Sequence, residues 1–140
     1  MNLWKLEGFD REHALDFVER VTEEKNDEVV RDTLAAVAEA DAAIMLNQEM
    51  LIEALAAAEL VAAIHGYPSL TLPEEAQRAA PALEGAVDQD DANLARSAIL
   101  GLRERTEAQK LWADRDPVAW HGALDDLLGR LAIACGDQPL

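Results

Sequence analysis

Apolar residues recur every three or four positions along most of this chain, and the recurrence breaks at a handful of capping and turn residues. After the irregular lead-in MNLWKLEGF, with Gly8 as its flexible point, Asp10 stands as an N-cap. Glu12 suits the positive helix end, and Phe9 is placed to pack onto Ala14. A first helix is expected to run to about Glu24, with Ala14, Phe17, Val18 and Val21 on its inner stripe. Asn26 or Asp27 caps a second, whose stripe of Val30, Thr33, Leu34 and Val37 gives out near Ala40. The following DAAIMLN holds no breaker. A third helix starts near Asn47 and ends at Gly66, where glycine can take the left-handed conformation and Pro68 prevents resumption. Its body, LIEALAAAELVAAIHG, is apolar nearly all round, which puts it near the centre of the fold.

The remaining pattern is more broken. Thr71, Pro73 and Glu74 predict a short helix from 73 to about 80, stopped by Pro81. The acidic loop DQDD supplies the cap of a helix from about 91 to 105, with Leu94, Ala95, Ala98, Ile99 and Leu102 inward. Thr106 and Glu107 open another short helix ending by Ala113. Asp116 followed by Pro117 is a strong start signal for a last helix to about Ala134, with Trp120, Leu124, Leu127, Leu128 and Leu131 inward and Asp126 and Arg130 as an exposed pair. The expected product is all-α: a single compact helical bundle of about five main helices plus one or two short ones, one domain over residues 1–140.

Composition agrees, since half the residues are apolar but only 4% aromatic, with Ala and Leu dominant. The lone Cys135 makes no intramolecular disulfide, the N-terminus has neither a basic start nor an apolar run, and the apolar part of the third helix falls short of the roughly 20 residues that cross a bilayer. A cytoplasmic protein is expected. Charge adds more: 28 acidic against 12 basic side chains give −16, which repels phosphate backbones and anionic lipid and attracts a basic protein. No nucleic acid and no membrane are expected as partners. The simpler reading of the charge is that it keeps an Ala-rich surface soluble.

Catalytic signatures are missing: no Gly-rich phosphate loop, no G-x-S-x-G elbow, no paired histidines in the zinc-protease pattern. No cofactor is expected. Cys135, among apolar neighbours, reads as a filler. Asp10, His13 and Asp16, three apart, fan across about 120° of a helix and are candidate metal ligands; the structural reading makes Asp10 a cap and leaves Asp16 in solvent. His121 and Asp125 form a similar pair four apart, and His65 suits the negative end of its helix. Trp4, Trp112 and Trp120 sit near element boundaries, as anchors for loops or as a ligand-stacking cluster. Within the third helix, Glu53 continues a wet edge from Glu49, whereas Glu59 has no polar companion at helical spacing. A buried Glu59 must be neutral or paired. It is either a general base or an acceptor for Arg103, Arg105, an indole N–H or loose backbone amides.

Three stretches, WKLEGFDREHALDF, EALAAAELVAAIHGYPSLTLPEE and TEAQKLWADRDPVAWHGALDDLLGRL, together resemble the bacterial domain-of-unknown-function family 4259 over nearly the whole chain. That family opens with a Trp-Gly-x-Gly-x-Phe-Asp-Asn-Asp-like run, has an Ala-Ala-Glu step in an Ala-rich helix, and carries a Ser-Glu-Leu…Leu-Trp segment before a final helix. The matches fall on Trp4, Gly8, Phe9, Asp10, Asp16, Glu59, Glu107, Leu111 and Trp112; Lys5, Leu6, Arg11, Glu12 and Thr106 depart from the pattern. The resemblance implies no activity, but it implies a junction in which the lead-in folds over the third helix onto Glu59 with Glu107 nearby. In functional form that junction is a ligand pocket bordered by Trp4, Asp10, Glu59, Glu107 and Trp112, with Glu59 and Glu107 as the catalytic candidates; in structural form it is a clasp.

The leading reading is an acidic protein-interaction or immunity-type module that neutralises a basic partner and is not an enzyme. The alternatives are a small carboxylate-based enzyme or metal binder centred on Glu59, and a structural homo-oligomer.

Overall fold

A computed structural model describes residues 3–6, 8–25, 27–41 and 43–136. Among these, a 3-10 turn at Leu3–Lys5 precedes α1 (Arg11–Glu24), α2 (Glu28–Ala38), α3 (Gln48–Ile64), α4 (Glu74–Ala82), α5 (Gln89–Arg103), α6 (Thr106–Ala108) and α7 (Pro117–Ala134); α6 runs on into a π-helical turn, Gln109–Ala113. The described chain contains no strand, and the architecture is an all-α bundle. None of its helices is long and apolar enough to cross a membrane.

The helix starts obey local chemistry. Asp10, Asn47 and Asp116 accept hydrogen bonds from the backbone N–H groups of His13, Met50 and Ala119 at 3.0, 2.8 and 3.0 Å, covering amides that a first turn leaves open. α3 ends at His65 and Gly66, whose φ of +96° is the left-handed closure expected of it. Asp27 stands at the start of α2 without a side-chain cap, and Asn26, the other candidate, lies outside the described residues.

Three boundaries differ from the spacing-based expectation. α2 ends at Ala38, just past Val37 and short of Ala40, whose N–H turns back to the Val37 carbonyl. Pro81 lies inside α4 rather than stopping it. Pro81 gives up its own backbone bond and crowds the preceding turn, and the chain closes one residue later with N–H groups of Leu83 and Glu84 donating to Ala80 and Pro81. α5 begins at Gln89, two residues early, because Asp88 and Asp91 cap it reciprocally: Asp91 N–H donates to Asp88 at 3.0 Å and Asp88 N–H to the Asp91 carboxylate at 3.1 Å.

α3 is central, packed against α1, α2, α4, α5 and α7. From Leu51 to Ala62 every residue but Glu53 is buried. Ala54, Ala56, Ala57 and Ala58 let the neighbouring helices approach closely, while Leu51, Ile52, Leu55 and Leu60 fill the gaps between them. The lead-in is core, not a loose arm: Leu3, Trp4, Leu6 and Phe9 are all buried, with Trp4 edge-on to Phe9 at 5.7 Å between centroids. Gly8, expected as a flexible point, is instead a fixed turn at φ +85° with the Arg115 side chain against it. Trp112 and Trp120, both fully buried, stack with centroids 5.0 Å apart and planes at 24°.

Candidate functional site

Glu59 is the one carboxylate that helical periodicity forces into the middle of α3, and the bundle provides for it. Arg130 lies at the margin of the inner face of α7, beside Leu127 and Leu131. Its Nη1 donates to Glu59 Oε2 and its Nη2 to Oε1, each at 3.0 Å, a two-pronged fit of planar fork to planar carboxylate. The same guanidinium reaches Asp126 through Nε at 3.0 Å and the Tyr67 carbonyl through Nη1 at 3.2 Å. The Trp4 indole also favours the charged form of Glu59. Lead-in, α3, the loop after α3 and α7 thus meet at one ion pair whose members are 1% and 14% exposed.

Arg130 is therefore not the exposed helix-surface partner that its spacing from Asp126 implied. Nor do Arg103 and Arg105 serve Glu59: Arg103 pairs with Asp125 at 2.9 Å, and Arg105 with Glu107 at 3.0 Å. A side chain of guanidinium length at the edge of an apolar stripe can reach inward as readily as outward.

Burial pushes the Glu59 carboxyl above the ordinary carboxylate range, against the hydrogen bonds and charge of Arg130 and the Trp4 indole, with Asp126 adding to the upward push. For Arg130, burial works against the charge, but the bonds and charge of Glu59 together with Asp126 outweigh it and hold the guanidinium above its usual pKa. The pair titrates at Glu59. Its folded value lies above its unfolded one, so between the two the folded chain keeps a proton that the unfolded chain has released. Raising pH through that window lowers wild-type stability. The stability advantage of wild type over Glu59→Gln, measured by urea unfolding at a series of pH values, is accordingly expected to be largest in acid, to shrink as pH rises above the ordinary carboxylate range, and then to level off. An advantage that grows with pH would mean that pairing, not burial, sets the ionisation.

Two further carboxylates cross-link helices. Asp91, 1% exposed, accepts from Arg31 Nε at 3.0 Å, and Arg31 also holds Asp27. Burial raises the Asp91 pKa against the Arg31 hydrogen bond. Spacing marked this residue only as part of an acidic loop; the signal for its inward role was the Asp88-x-x-Asp91 reciprocal cap, which turns the second acid back toward the protein. Glu53 is not on a solvated edge: it accepts from Arg20 Nη2 at 2.8 Å and meets His13 Nε2 at 3.1 Å, tying α1 to α3.

His13 is thereby drawn away from Asp10, which is occupied as a cap, and from Asp16, which is exposed. Among the described residues no group of three or more His, Cys, Asp or Glu side chains is arranged to hold a metal ion. His65 ends α3 with its Nε2 3.2 Å from the Asp88 carbonyl. Asp125 is taken by Arg103, and His121 is exposed.

Of the expected junction, Trp4 acts on Glu59, while Glu107 is held elsewhere. Glu107 accepts from Leu46 N–H and from Arg105 Nε, both at 3.0 Å, and Arg105 also bonds the Ile44 carbonyl. Those bonds, the Leu46 amide foremost, lower its pKa. They fix Glu107 beside the N-terminal end of α3, and Glu59 lies three turns along that helix, about 16 Å away. A single pocket cannot contain both carboxylates. Trp112 stacks on Trp120, and neither indole N–H has a hydrogen-bond partner among the described residues.

A family model described as a domain of unknown function, DUF4259, matches residues 2–123. The chain belongs to the DUF4259 family. No curated protein and no solved structure matches it. The DUF4259 span includes the lead-in, Glu59, Glu107 and Trp112 but stops before Arg130, so the cation that completes the Glu59 clasp lies outside the matched region.

Proposed function

We propose that this DUF4259 protein is a cytoplasmic acidic binding module, of immunity type, that neutralises a basic protein. The observation that carries the reading is where the few cations go. Arg20, Arg31, Arg103, Arg105 and Arg130 are all engaged in ion pairs between elements or within the loops that join them, and Arg78 holds Glu74 on its own helix. Six of the twelve cations are thus engaged, and with 28 acids in the chain carboxylate remains in excess, which speeds encounter with a cationic partner and discriminates against an anionic one. Both oxygens of Glu59 accept from Arg130, which favours the clasp over a catalytic or metal-binding role for that residue.

Affinity capture from source lysate at low and moderate ionic strength tests the reading. A distinct basic protein retained at low salt and released as salt rises is expected, since exposed charges are screened over about 10 Å at 0.1 M. Absence of any basic partner at either salt, or capture of the chain itself as the sole species, would overturn it in favour of a homo-oligomer or a solubility role for the charge.

A further inference from the structure

Between α1 and α4 lies a groove of about 550 Å³. Leu15, half-buried, is the apolar side chain that opens into it, over Val18 and Ala79, which are themselves buried. Its α1 rim carries Glu12, Asp16 and Glu19, and Glu75 stands on the α4 side. All four acids are exposed. The three on α1 fall at i, i+4 and i+7, one stripe on one helical face, and Glu23 continues it by a further turn.

Beyond Glu12, which the helix start favours, this stripe works against its own helix. Like charges three or four residues apart on a helix repel and destabilise it. Arg20, four residues beyond Asp16 and correctly spaced to neutralise it, turns instead to Glu53 and lies over the Phe17 ring at 5.3 Å. Arg78, the cation lining the groove, is held by Glu74 at 2.9 Å. Among the described residues none of Glu12, Asp16 or Glu19 holds an ion pair. A row of carboxylates in self-repulsion beside an apolar floor is complementary to one chemistry: cations at helical spacing flanking an apolar face.

We infer that the α1–α4 groove docks a cationic amphipathic helix of the partner protein, its apolar side chains entering over Leu15 and its Lys or Arg residues, at i, i+4 and i+7, meeting Glu12, Asp16 and Glu19. The inference rests on the acidic-module reading and assigns it a surface. Helix-in-groove recognition works through anchors at this spacing. A divalent ion or a polyamine would use the carboxylates and leave the floor idle, whereas an amphipathic helix uses both.

The probe is a Leu/Lys peptide of about five helical turns, apolar on one face, compared with a scrambled peptide of the same composition and titrated calorimetrically into the whole protein at low salt. Wild type is expected to bind the amphipathic peptide more tightly than the scrambled one. The triple variant Glu12→Lys/Asp16→Lys/Glu19→Lys is expected to weaken it by about tenfold or more. The control Glu84→Lys/Glu104→Lys/Asp114→Lys, which changes net charge equally on exposed sites elsewhere, should have a much smaller effect. A neutral set, Glu12→Gln/Asp16→Asn/Glu19→Gln, keeps the result readable if charge reversal unsettles α1. Equal losses from groove and control sets, or equal affinity for the two peptides, would overturn the groove assignment while leaving an acidic module that binds diffusely. Failure of wild type to bind either peptide, together with an empty capture experiment, would remove the module reading as well.

Discussion

Arg130→Leu is expected to lower the free energy of unfolding by about 3–5 kcal/mol at neutral pH, a large part of the margin that a domain of this size normally has. Without the guanidinium, the Glu59 carboxyl must either carry an unpaired charge among Ala58, Leu60 and Val61 or take up a proton with its two strongest hydrogen bonds gone. Either state is worse than the fork of two 3.0 Å bonds. Chemical denaturation followed by circular dichroism measures the loss. Asp126→Asn provides the calibration. It removes the half-exposed third member of the cluster and should cost under about 1 kcal/mol, as solvent-facing pairs do. The double variant Glu59→Leu/Arg130→Met separates the cost of a broken pair from the worth of an intact one. It replaces both charges with apolar groups of similar volume and is expected to recover most of the loss, since a buried pair gains little over a well-packed apolar substitute. If Arg130→Leu matched Asp126→Asn, the clasp would be an incidental contact.

Toward the start of α7, Trp112→Ala is expected to cost about 3–5 kcal/mol, the range for emptying a large aromatic site in a core that relaxes only partly. Trp112 is fully buried and half of a stacked pair, so the substitution removes packing against Trp120 along with the side chain itself. Trp112→Phe should be far milder. It leaves a smaller void, keeps a ring against Trp120, and deletes an indole N–H that makes no hydrogen bond among the described residues. Leaving a buried donor unsatisfied costs about 1–3 kcal/mol, which Phe regains in part. Comparing the two thermal midpoints decides between an anchor and a ligand platform: an anchor gives a large Ala effect and a small Phe effect. Near-wild-type stability of Trp112→Ala would free this residue for another role.

How far the sequence could be read depended on the range of each interaction. The caps at Asp10 and Asp116, the start of α3 near Asn47, its close at Gly66 and the inner stripes of α1 and α7 are decided by nearby residues of the chain, and all were legible. Reading Pro81 as a stop failed because its position relative to the end of α4, not its presence, sets the outcome. The partners of Glu59, Glu53 and Glu107 were misread for another reason. Each is chosen by which helices become neighbours, and Arg20, Arg103, Arg105 and Arg130 look alike until that is settled. The family pattern singled out Trp4 and Glu59 but not Arg130, whose pairing depends on where α7 packs and which lies beyond the matched residues. The α1 stripe, by contrast, was present in the spacing of Glu12, Asp16 and Glu19 all along; its significance appears only when Arg20 is seen to face elsewhere.

The Glu59–Arg130 bond closes 71 residues of chain. As synthesis proceeds from the N-terminus, α3 and most of the helices that surround it are complete while the cation its carboxylate requires has yet to be made. Until α7 emerges, the middle of the bundle has to stay open to water on the side where Glu59 sits. The last helix is thus the step that lets the interior dry out, and a chain cut short before Arg130 would be left with a centre it could assemble but not seal.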